Sequence, residues 1–132
     1  MVEVRIEAEG PQAQAALDEA AAFFEREFGI KAQSRTIKSE GTRKGIDPAW
    51  IAVILSIPAA IMAAMDLAGR LKLIERTEAM LTQMRVKLGG AAGVIHIGAR
   101  RSFDITTAKA RDIIDAIREA KDEDAASGGK QD

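Results

Sequence analysis

From Pro48 to Met65 the chain reads PAWIAVILSIPAAIMAAM without a charged residue. Whatever fold this sequence adopts must supply something against which to bury that stretch. Trp50, Ile54, Ile57, Ile61 and Met65 recur at three- and four-residue intervals, and Ala52, Ser56, Ala60 and Ala64 recur at four. The spacing predicts a helix with Asp47 as its cap and Pro48 in its first turn, kinked at Pro58. Its bulky stripe would face the core, and its small stripe would let a second helix come close. Trp50, Ala52, Ile54, Ser56, Ala60 and Ala64 are therefore the candidate interface residues.

Beyond Asp66, Leu67, Leu71, Ile74, Leu81, Met84 and Leu88 continue an apolar stripe among Arg70, Lys72, Glu75, Arg76, Glu78, Arg85 and Lys87. That pattern predicts an amphipathic helix, joined to the first as a hairpin near Gly69 or as one long kinked rod.

A membrane span needs about 20 predominantly apolar residues, and the uncharged stretch offers roughly 18, interrupted by Ser56 and Pro58. Basic residues lie on both sides of it: Lys38, Arg43 and Lys44 before, Arg70, Lys72 and Arg76 after. The positive-inside rule therefore assigns no orientation. A single crossing would also leave two strands on each side of the bilayer, too few for either half to be stable. A core or oligomer-interface helix is the preferred reading, with a membrane-associated component as the alternative.

The rest of the chain reads as alternating elements. Val2, Val4, Ile6 and Ala8 alternate with Glu3, Arg5, Glu7 and Glu9, a strand with one face buried and one in water. Gly10 and Pro11 open a helix in which Ala13, Leu17, Ala20, Phe24 and Phe28 share a face, stopped by Gly29. Residues 30–38 read as a more polar edge strand. Gly89, Gly90 and Gly93 close the second middle helix and lead into a hairpin of residues 94–98 and 102–105. Thr106 or Thr107 then caps a last helix along Ala110, Ile113, Ile114, Ile117 and Ala120. The expected fold is α+β in the order β-α-β-α-α-β-β-α: a four-stranded mixed sheet with helices on one face. Residues 1–121 form a single domain, followed by a polar, flexible tail over 122–132.

Composition narrows the function. With 19 Lys and Arg against 20 Asp and Glu, the net charge of -1 does not suit a general polyanion binder. Arg35, Lys38, Arg43, Lys44, Arg100 and Arg101 could form a small basic patch, but no aromatic residue is interleaved to stack on bases. Nucleic acid accordingly ranks below protein–protein contact. There is no cysteine, hence no thiol nucleophile or thiolate metal site, which suits a reducing cytoplasm. His96 is the only histidine, and no spacing supplies a second imidazole, so no metal is expected. The serines lie outside any G-x-S-x-G motif, and the glycines at 89–93 lead from a helix into a strand rather than the reverse that phosphate loops need. No catalytic residues and no cofactor are assigned, and an enzyme is not expected.

The opening VEVRIEAEG strand, the Ala-rich first helix, the apolar middle, the GVIHIGARRSFDI hairpin and the Ile-rich closing helix together resemble the effector-associated constant component family of bacterial conflict systems. The resemblance spans most of the chain and rests on layout and short stretches. It implies a small non-enzymatic component encoded beside variable effectors and NTPase or protease modules. The expectation is a non-catalytic adapter, homo-oligomeric and cytoplasmic or membrane-associated, with a co-encoded effector or NTPase as partner. The family carries no active-site residues to transfer.

Overall fold

The computed structural model describes residues 2–31, 33–37 and 50–130. The elements run β1 (Val2–Ala8), α1 (Ala13–Phe28), β2 (Gln33–Ile37), β3 (Trp50–Ile57), α2 (Ala59–Ala64), α3 (Leu67–Leu88), β4 (Gly93–Ile97), β5 (Arg101–Asp104) and α4 (Ala110–Lys130). The strands form a five-stranded sheet in the order β2-β3-β1-β4-β5. The expected α+β class holds, with strands from both ends of the chain in one layer and the helices on one face. Every pairing is antiparallel, so the sheet is not mixed. Because β1 and β2 both pair antiparallel with β3, they point the same way with β3 between them, a split β-α-β unit. β5 and α4 extend it on the β4 side.

The fifth strand corrects the reading of the apolar middle. Trp50–Ile57 is β3, not a helix, and it pairs with β1 along its whole length, from Val2 opposite Ile57 to Ala8 opposite Ile51. The physical reason lies in Ile51, Val53, Ile54 and Ile57, β-branched residues that lose side-chain freedom in a helix and pack well on a pleated sheet. β3 also carries apolar residues on both faces, with Trp50, Ala52 and Ile54 on one and Ile51, Val53, Leu55 and Ile57 on the other, and that run imitates a helix when only its hydrophobicity is read. Pro58 does not kink a helix; it ends the strand. It holds the preceding residue in an extended conformation and, at φ -61, begins the short α2. Residues 48–88 are thus neither a hairpin of helices nor one rod. Asp47 and Pro48, the expected cap, lie outside the described residues.

The helices form where their caps and periodicity place them. α1 ends at Gly29, whose φ of 65 is left-handed and whose N–H donates to Glu25 O. α3 starts at Asp66, whose Oδ1 accepts from Gly69 N–H at 2.7 Å, so Gly69 sits inside the first turn and breaks nothing. Helical packing buries Phe23, Phe24, Leu17, Leu81, Met84, Ile113, Ile114 and Ile117 against Val4, Ile6, Val53, Leu55, Ile57, Ile95 and Ile97 of the sheet. Phe23 meets Phe24 edge-on at 5.1 Å between centroids, and Phe24 stacks on Phe28 at 5.7 Å. Thr77 is fully buried, and its hydroxyl donates to Leu73 O at 2.7 Å. Close approach requires Gly93, where a Cβ would stand 2.6 Å from Ile105 Cδ1.

Between β5 and α4 the expected threonine caps give way to a different device. Asp104 accepts from Thr106 N–H at 2.9 Å and from the Thr106 hydroxyl at 2.7 Å, closing a turn before the helix. From α3, Arg85 Nε donates to Ile105 O at 2.8 Å and its Nη2 donates to Ala108 O. Glu78 Oε1 accepts from Ala110 N–H at 3.3 Å. One turn is thereby held by two side chains from the neighbouring helix: Glu78 accepts from an N–H that a helix start leaves unpaired, and Arg85 donates to two carbonyls of the turn.

Candidate functional site

Side chains alternate across a strand, so a sheet with helices on one face presents its other set of residues to whatever lies outside. The outward set on β3 is Trp50, Ala52, Ile54 and Ser56; on β1 it is Glu3, Arg5 and Glu7; on β4 it is Val94 and His96. None of these joins the core cluster, whereas Ile51, Val53, Leu55 and Ile57 belong to it or pack against it. The register sets them in rows: Ala52 beside Glu7 beside Val94, and Ile54 beside Arg5 beside His96. Trp50, Ile54 and Val94 are partly exposed and Ser56 is exposed, while Ala52 is buried at 1% although it lies outside the core.

This face carries a small charge cluster. Glu7 stands between two basic groups: Arg5 Nε is 2.7 Å from Glu7 Oε2, and His96 Nε2 is 3.3 Å from Glu7 Oε1. Arg5 Nε is shielded from solvent, with the Glu7 carboxylate as its close partner. The Arg5 and His96 side chains remain 39% and 40% exposed, so the pairing itself contributes only about 0–1 kcal/mol. Ser102 lies opposite His96 on β5, which sets a hydroxyl, an imidazole and a carboxylate along one face. No hydrogen bond joins Ser102 to His96 among the described residues, and nucleophile activation requires that contact.

Four of the six candidate interface residues come together here, for a reason the helical reading did not contain. Trp50, Ala52, Ile54 and Ser56 share a face because they alternate along a strand. Ala60 and Ala64 are exposed on α2, a separate element, so the continuous small-residue stripe does not exist. His96 and Val94 do share a face, as their alternation predicted. Arg5, Glu7 and His96 were not recognised as a cluster; their strand periodicity was legible, but the pairing of β1 with β4 joins positions 89 residues apart.

The described part of the expected basic patch is divided between two strands. Arg35 belongs to β2 and Arg101 to β5, the two opposite edges of the sheet, roughly 19 Å apart at about 4.8 Å per strand. Arg101 instead pairs with Glu119 at 2.7 Å and lies 5.3 Å from the centroid of the Phe103 ring. Lys38, Arg43 and Lys44 lie outside the described residues.

The helical side carries two other surface features. A shallow groove of about 170 Å³ between α1 and α3 has Phe23, Ala79 and Met80 as its floor and Glu19, Arg26, Arg76 and Gln83 around it. Arg76 and Arg26 both face Glu27, at 3.0 and 3.5 Å, which ties the two helices together. At the α2–α3 corner, Leu67 and Leu71 are exposed. No described helix is long and apolar enough to cross a membrane, and no group of three or more His, Asp or Glu among the described residues could hold a metal ion. In this structure Trp50–Ile57 is β3 and not part of an apolar helix, and it lies between β2 and β1. The chain matches no protein-family model, no curated protein and no solved structure.

Proposed function

We propose that this chain is a non-catalytic interaction component, an adapter that binds a protein partner through the open face of its sheet. The observation that carries this reading is the composition of that face: Trp50, Ile54 and Val94 beside the Arg5–Glu7–His96 cluster, opposite a face that is wholly committed to the core. Mixed surfaces of this kind, with an aromatic and an arginine among apolar residues, suit protein recognition. The resemblance to effector-associated constant components supplies the setting: a cytoplasmic adapter coupling a co-encoded effector or NTPase to its regulator. A stable fold without its partner fits this role, since the core is complete within the chain.

The test is reconstitution with the products of the flanking genes. Wild-type protein should co-purify with one of them in fixed stoichiometry, and Ile54→Asp should lose that partner while keeping its far-UV circular dichroism. Undiminished binding by a folded Ile54→Asp variant, or no binding by wild type to any of these products, would count against the reading.

A further inference from the structure

The charges on the open face are arranged so that the face complements itself. Along β1 the outward residues alternate in sign, Glu3, Arg5 and Glu7, with Ile54 and Ala52 on the neighbouring β3 and His96 and Val94 on β4. We propose that a second copy of this chain docks face to face on this sheet, about a two-fold axis perpendicular to the strands that passes between the Arg5 and Glu7 rows. The proposal rests on the adapter reading of the same face, for which a second copy and the flanking-gene product would compete.

The geometry selects that axis. Rotation about it lays β1 antiparallel over its mate, so Arg5 meets Glu7 of the second copy and Glu7 meets Arg5, the reciprocal pattern of an isologous contact. A two-fold axis along β1 would instead set Arg5 on Arg5 and Glu7 on Glu7, and like charges in register oppose association. Two sheets packed this way lie about 10 Å apart with their strands nearly aligned.

Size sets the strength. Five strands about 4.8 Å apart and averaging roughly 19 Å long give a face on the order of 450 Å², or about 900 Å² for both copies, the size of weak and transient complexes. Self-association should therefore appear at about 0.1–1 mM and not at nanomolar concentration.

Charge reversal tests the pairing directly, with light scattering for mass and Trp50, the single tryptophan, as a fluorescent reporter on the face itself. Wild type should dimerise at about 0.5 mM with a blue shift of Trp50 emission. Arg5→Glu makes the β1 stripe wholly acidic and Glu7→Arg makes it predominantly basic; each alone should stay monomeric. Mixing the two should restore the dimer and the blue shift, and added salt should weaken it. The double variant Arg5→Glu with Glu7→Arg should self-associate as wild type does, which guards against a folding defect in either single variant. Monomeric wild type at this concentration, single variants that dimerise as wild type does, or folded single variants that fail to combine on mixing would each overturn self-pairing. Monomeric wild type together with Ile54-dependent capture of a flanking-gene product would overturn self-pairing and leave the adapter reading standing; loss of both would remove the two together.

Discussion

Val4, Ile6, Val53, Leu55 and Ile95 on one face of the sheet are at most 2% exposed, while Arg5, Ile54 and His96, their neighbours along the same strands, remain partly exposed on the other. The same backbone and the same hydrogen bonds support both sets, so the difference comes from what each meets. The inner face meets three helices whose stripes of Phe, Leu, Met and Ile fill it, and removing one of those side chains leaves a void or an unpaired group. The outer face meets its own cross-strand neighbours and solvent. Stability resides on the inner face; the outer one carries the proposed recognition.

Two adjacent residues of β3 break this comparison most sharply. Leu55→Asp places an unpaired carboxylate in the core and should cost more than about 4 kcal/mol, enough to prevent folding. Ile54→Asp, one residue away on the opposite face, should cost about 1 kcal/mol and leave a cooperative transition in urea. Equal losses at the two positions would contradict the assignment of faces.

A smaller effect tests how the helical layer is closed onto the inner face. Arg85→Ala strips the donors from Ile105 O and Ala108 O and should cost about 1–3 kcal/mol, read as a lower urea midpoint with an unchanged slope. Hydrogen exchange should accelerate first at the amides of residues 105–110, because that turn relies on α3 for its partners.

The smallest effect concerns Asp104, at the solvent-exposed rim. The Thr106 hydroxyl, and then the Thr106 amide, hold its carboxyl below its ordinary value of 3.8 by hydrogen-bonding the charged form. A carboxyl with a depressed folded-state pKa stabilises the protein above its unfolded value, and that contribution is lost as pH falls through the folded one. Thr106→Val should therefore be less stable than wild type at about pH 6, with the gap closing towards about pH 3. A gap that widens on acidification would reverse the sign of this contact.

How far the chain could be read in advance depended on which signal each segment carried. β1, α1 and the β4–β5 hairpin declared themselves through clean periodicity and glycine stops, and the α+β class followed. The apolar middle did not, because β3 carries Trp50, Ala52 and Ile54 on its outward face and so lacks the polar alternation that marks strands, and Ala52, Ser56, Ala60 and Ala64 happen to repeat at helical spacing across a strand end. Pro58 was the available clue: an extended residue before it and a helix start after it divide the stretch where it divides. At the candidate site, Trp50, Ala52, Ile54 and Ser56 were found through the wrong periodicity, since every second step of two is also a step of four. Arg5, Glu7 and His96 could not be joined without the register between β1 and β4, which no local pattern encodes.

The placement of Trp50–Ile57 as an inner strand of the sheet is tested most directly by cysteine cross-linking, for which the cysteine-free sequence provides a silent background. Glu3 and Ser56 are exact register partners on the open face, and antiparallel partners have Cα atoms about 4.5–5.5 Å apart, within the span of a disulfide. Glu3→Cys with Ser56→Cys should oxidise rapidly to an intramolecular bridge without change in far-UV circular dichroism, while Glu3→Cys with Leu55→Cys, shifted by one residue to the opposite face, should not. Failure of the first pair to bridge, with the protein folded, would mean that the uncharged stretch does not lie beside β1.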